Sequence, residues 1–117
     1  MATLTTQQII RGTPITPTFA AAAGGGDACT VGIDTFVEIK NTSGTSTVVT
    51  FAVPAGNSPY SGVAYTSPTV TVPVTTGDKM FGPIDPGLFK DPTTGLCTIT
   101  YSQVSGITVG VFNLSEA

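Results

Sequence analysis

The sequence predicts an all-β domain: a single antiparallel β-sandwich or small barrel with an extended N-terminal arm. Three observations carry this. Six or seven short runs alternate apolar and polar residues at regular spacing, separated by Gly, Pro, Asn and Asp. Thr occupies 22 of 117 positions, and its branched Cβ suits a pleated, half-wet surface. No segment sustains a helical period, and strands without intervening helices stack as a sandwich or close as a barrel.

The elements follow in order. Residues 1–12 hold a weak helix signal, with Thr5 and Gln8 as a capping box and Gly12 as a stop. The stretch is too short to stand as a lone helix, and Pro14 and Pro17 follow closely, so an extended arm is expected. Residues 20–27 are a small-residue loop. Its Gly24-Gly25-Gly26 leads into Asp27-Ala28-Cys29 and lacks the Lys and Ser or Thr of a phosphate-cradling turn. The expected division is therefore residues 1–26 as arm and loop, and residues 27–117 as the sandwich.

Residues 33–40 place Thr35, Val37 and Ile39 on one face and Phe36, Glu38 and Lys40 on the other. Residues 46–53 send Thr47, Val49, Phe51 and Val53 the same way, and the Asn41-Thr42-Ser43-Gly44-Thr45 turn suggests a hairpin. Residues 54–68 read as a long surface loop, whose Tyr60 and Tyr65 either contact a partner or fold over a sheet edge. Residues 69–74 turn Val70, Val72 and Val74 inward, with Pro73 marking an edge or bulge. Asp-Pro turns at residues 85–86 and 91–92 flank Leu88-Phe89. Cys97, Ile99 and Tyr101 share one face, and Ile107, Val109 and Val111 face the core. Phe36, Val48, Ala52 and Phe112 then point outward, where a solvated sheet carries Lys and Glu. Those faces are expected to pack against something.

Charge limits the function. Charged residues make up 9% of the chain, against about 25% in an ordinary soluble domain. The four basic residues, Arg11, Lys40, Lys79 and Lys90, are scattered singly in a chain of net charge -3, which argues against nucleic acid as a partner. Such a thin charged coat suggests that other protein copies cover much of the surface. The N-terminus lacks the basic and apolar regions of a signal peptide, and no run is long enough to span a bilayer, so cytoplasmic synthesis and no membrane partner are expected. Cys29 and Cys97 are then expected as reduced, small core residues.

Catalytic chemistry is hard to assemble. With no His, a hydrolytic triad would need an unusual base. Of Asp27, Asp34, Asp78, Asp85 and Asp91, four sit beside turn residues, where Asp serves the backbone. Without His or a CxxC spacing, a zinc site is not expected. A non-enzyme is expected, with no cofactor, no metal and no small-molecule substrate.

The order of motifs carries a resemblance. Leu4-Thr5-Thr6-Gln7-Gln8-Ile9-Ile10-Arg11-Gly12 leads into Pro17-Thr18-Phe19-Ala20-Ala21-Ala22-Ala23 and the three glycines. Phe36-Val37-Glu38-Ile39-Lys40-Asn41, Val72-Pro73-Val74-Thr75-Thr76-Gly77-Asp78, Phe81-Gly82-Pro83, Leu88-Phe89 and Leu96-Cys97-Thr98-Ile99-Thr100-Tyr101-Ser102 follow. Over nearly the whole chain this resembles the small β-rich decoration, or minor capsid, proteins of tailed bacteriophages, especially those of actinobacteria. The resemblance implies a place on the virion capsid surface, major capsid protein as partner, and stabilisation of the shell against the pressure of packaged DNA. A homotrimer or other homo-oligomer is expected, because shells offer threefold and quasi-threefold sites. The alternative is a tail or head-fibre β-module that contacts host-surface glycans.

The candidate interface comprises Leu4, Ile9, Ile10 and Phe19 as arm anchors and Arg11 as a polar clamp; the arm could instead pack on its own domain. Tyr60 and Tyr65 join them from the long loop. Phe81, Leu88 and Phe89 form a second patch or a local mini-core.

Overall fold

In the computed structural model, which describes residues 2–57 and 65–115, ten strands form two packed sheets. They are β1 (Ala2–Thr3), β2 (Thr6–Ile10), β3 (Ala20–Ala21), β4 (Asp27–Cys29), β5 (Thr35–Asn41), β6 (Thr47–Phe51), β7 (Thr69–Val72), β8 (Gly77–Phe81), β9 (Cys97–Tyr101) and β10 (Ile107–Ser115). One sheet runs β1-β4-β9-β6-β7; the other runs β2-β10-β5-β8, with β3 also beside β10. A short helix, α1 (Pro86–Phe89), closes one end, capped by Asp85, whose carboxylate accepts from the Gly87 N–H. The architecture is an all-β sandwich. Among the described residues the sheets form no closed barrel, and they are mixed, since β1 runs parallel to β4 and β2 parallel to β10.

The parallel pairs come from residues 1–26. Instead of running away from the sandwich, this stretch runs along it: β1 extends one sheet, and β2 and β3 share one edge of β10 in the other. The capping-box residues Thr5 and Gln8 do not start a helix, because alignment on β10 satisfies the backbone between Thr6 and Ile10. Gln7 adds a side-chain rung. Its Nε2 donates to the Thr18 carbonyl at 2.8 Å and its Oε1 accepts from the Thr18 N–H at 2.7 Å, tying the returning segment to β2.

Residues 33–40 and 46–53 make no hairpin. β5 pairs with β8 and β10, whereas β6 pairs with β7 and β9 in the opposite sheet. The turn between them is an arch from one layer to the other, and buried Asn41 builds it. Its Nδ2 donates to the carbonyls of Thr45 (2.8 Å) and Val72 (3.3 Å), and its Oδ1 accepts from the Ser43 N–H (2.8 Å) and Oγ (2.7 Å). Asn41→Ala removes these bonds, of which the one to the Val72 carbonyl is buried and those to Ser43 and Thr45 are partly buried. It is expected to lower stability by about 1–3 kcal/mol in urea unfolding, with the slope of the transition unchanged.

The core is the interleaved inner faces, as the alternation predicts. Val37, Ile39, Val109 and Val111 meet Val49, Phe51, Cys97 and Ile99, all essentially inaccessible to water. Phe51 and Phe81 stack across the layers with ring centroids 4.1 Å apart, and Phe89 meets Phe81 edge-on at 5.8 Å. The expectation for Val74 fails: β7 ends at Val72, and Val74 is exposed in the turn to β8. That turn needs Gly77, since a Cβ there would lie 2.0 Å from the Pro73 carbonyl oxygen. Cys29 and Cys97 are both buried free thiols and face each other directly on β4 and β9. The neighbouring Cys97 and burial push the Cys29 thiol far above its ordinary range, so it stays protonated and unreactive.

Candidate functional site

Period-two alternation puts every second residue of the β2-β10-β5-β8 sheet on its outer face. Register then decides which side chains meet. Glu38 lies opposite Met80, Phe36 opposite Phe112, and Phe112 opposite Gln7. The result is an aromatic ladder. Phe36 stacks on Phe112 at 5.5 Å, Phe19 meets Phe112 edge-on at 5.9 Å, and Lys40 Nζ sits 4.2 Å from the centre of the Phe19 ring.

The returning segment, held by Gln7, covers only part of this ladder. Between it and β8 an open groove of about 270 Å3 remains, lined by Ile9, Ile15, Pro17, Phe36, Met80 and Phe112 with Glu38 at its side. Beyond Met80 the depression continues over Phe36, Phe81 and Gly82. Met80 is the most prominent wall residue, with 65% of its surface exposed. A thioether adapts to irregular surfaces, so this wall suits a protein contact.

Glu38 is half-buried in this apolar setting. Burial raises its carboxyl above the usual range, the neighbouring Asp78 carboxyl raises it further, and the Lys40 ammonium partly offsets both. A carboxyl raised by folding stabilises the fold fully below its unfolded value, and that contribution is lost as pH rises through the folded value. Glu38→Gln is therefore expected to stabilise at pH 7 by less than about 1 kcal/mol, given solvent screening, and to change little at pH 4. Urea titrations at the two pH values check this.

The sequence candidates divide. Ile9 lines the groove, Phe19 flanks it, and Phe81 borders its continuation while its ring packs inward on Phe51. Leu4 is no outward anchor; it is 7% exposed, in the core, with its N–H donating to Ala28 O. Ile10 and Arg11 are exposed at the far end of β2, outside the groove. Phe89 is buried and Leu88 packs against the core, so both belong to the main core rather than a surface patch. Tyr65 is exposed ahead of β7, and Tyr60 lies outside the described residues.

Met80, Ile15 and Pro17 were missed. Met80 alternates with Asp78, but its partner Glu38 lies forty-two positions earlier on a strand that local patterning cannot pair with it. Among the described residues, no cluster of three or more His, Cys, Asp or Glu could hold a metal, and no helix is long and apolar enough to cross a membrane. No protein-family model matches the chain, and neither a curated protein nor a solved structure does.

Proposed function

We propose that this chain is a non-enzymatic structural virion protein that binds the assembled bacteriophage capsid and stabilises it by bridging adjacent major capsid subunits. The observation that supports this most is the outer face of the β2-β10-β5-β8 sheet. Its middle is aromatic and aliphatic, with Glu38 and Asp78 on the β5–β8 side and the Lys40 ammonium reaching over Phe19 on the other. An apolar groove rimmed by polar residues is the usual form of a protein contact. A capsid subunit is the occupant that the resemblance and the sparse charge both favour.

The mechanism is mechanical. Each copy contributes a modest contact, many copies repeat it across the lattice, and a protein that binds only assembled shell shifts the equilibrium toward assembly. A homo-oligomer, a trimer at threefold positions, would multiply the contacts per particle. Purified protein is expected to sediment with assembled shells and not with unassembled capsid subunits. Equal binding to both, or saturable binding on a glycan array with no shell binding, would overturn the proposal.

A further inference from the structure

A second cavity, of about 250 Å3, lies where β1, the start of β2 and β3 come together beside β10. Topology explains the opening. Along one edge of β10, β3 is aligned with Thr108 and Val109 and β2 with Val111 onward, so neither strand covers Gly110. This half-open cleft has room for a ligand of a few heavy atoms. Thr3, Thr5, Gln7 and Thr18 supply polar walls, and Leu4 and Phe19 supply apolar ones.

Asp27 also lines this cavity and is only 1% exposed. Its Oδ2 accepts from the Tyr101 hydroxyl at 2.7 Å and the Ala23 N–H at 3.2 Å, while Oδ1 has no partner among the described residues. Neither bond comes from a basic side chain. Burial, then the Asp27 hydrogen bond, raises the Tyr101 hydroxyl well above its ordinary value, so Tyr101 remains a donor. Among the described residues no cation faces this carboxyl, and burying an unpaired carboxylate carries a large desolvation cost. This side chain sits at the wall of a partly apolar cavity with half its acceptor capacity unused.

We infer that the cavity binds a primary alkylammonium group, with Asp27 Oδ1 as its charged acceptor and the Leu4–Phe19 wall against its aliphatic stem. An ammonium has three donors, which one carboxylate oxygen and nearby threonine oxygens can share. A single carboxylate with neutral oxygens is a poor divalent-metal site, which needs six to eight oxygens for calcium. The carboxyl torsion of Asp is soft, so Oδ1 can turn toward an incoming donor at the expense of the longer of the two Oδ2 contacts, the 3.2 Å bond from the Ala23 N–H. The inference does not depend on the capsid proposal.

The test is a 15N–1H correlation spectrum of the full chain titrated with n-butylammonium chloride, n-butanol or calcium chloride at matched ionic strength. Saturable shifts at Leu4, Asp27 and Gly110 are expected with butylammonium alone. Asp27→Asn is expected to weaken binding about tenfold or more. Ala21→Leu, at the exposed rim, is expected to block it and keeps the test decisive if the Asp27 variant fails to fold. Equal shifts with butanol would mean an apolar void, matching shifts with calcium a metal site, and no saturable shift a solvent-filled cleft; each overturns the inference. Putrescine against Nα-acetyl-lysine methylamide distinguishes a free polyamine from a protein lysine as the source, and preferential binding of either upholds the chemistry.

Discussion

Met80→Asp is expected to weaken shell binding by about 100-fold while lowering the melting temperature only slightly. Met80 is exposed on edge strand β8, so its replacement opens no cavity, and the like-charge repulsion from Glu38 directly opposite costs at most about 1 kcal/mol. In a docked complex the new carboxylate would face apolar surface beside Glu38, unpaired and desolvated. An uncompensated charge at an interface costs about 2–5 kcal/mol, and 100-fold corresponds to ~2.7 kcal/mol. Ile33→Asp is the control. Ile33 is 75% exposed and lies outside the groove, so it should change neither binding nor stability appreciably. Sedimentation isotherms of the three proteins against assembled shells decide the matter. Equal loss in both variants would mean general apolar stickiness rather than this groove.

Deleting residues 1–19 is expected to abolish cooperative unfolding. The deletion removes β1 and β2, strips the Gln7 rung, and takes Leu4 from the core and Phe19 from Phe112. Leu4→Ala alone is expected to cost about 2–4 kcal/mol, against a typical domain stability of 5–15 kcal/mol. The whole truncation removes several such contributions and bares an edge of β10, the longest strand. A truncated chain that melted cooperatively near the intact protein's temperature would show that this stretch is dispensable. The point variant and the truncation separate roles: loss of binding with fold intact follows from Met80, and loss of fold follows from the first nineteen residues.

Strands β5, β6, β7, β9 and β10 were legible because each carries its own alternation, whereas β1 to β3 fell in the stretch read as an arm and loop and β4 is buried throughout with no alternation. Val37 and Ile39 inward, Phe36 and Glu38 outward, and the inward face of β10 all follow from a period of two. Which strands pair was not legible. From β4 onward only β6 and β7 follow one another within a sheet; every other consecutive pair of strands crosses between layers. Alternation is identical in a hairpin and an arch, so residues 33–53 read as the wrong one. The difference lies in Asn41, whose side chain bonds replace a ladder and are visible only in three dimensions. The groove was half-legible for the same reason. Phe36 and Phe112 declared an apolar outer face by parity, whereas Ile9 and Phe19 were read only as arm anchors and the structure sets them on and beside that face. Met80 needed the β5–β8 register, and Leu4 turned inward because its segment joins the sandwich.

Oxidation of Met80 tests the docking face most directly. The chain has two methionines, and Met80 is widely open to solvent, so dilute peroxide should convert its thioether to the sulfoxide readily in free protein. On saturated shells, mass spectrometry of the Met80 peptide is expected to show at least tenfold slower oxidation, because the groove is covered. Oxidation at the same rate on shells and in free solution, with binding confirmed in the same sample, would contradict this placement of the capsid contact.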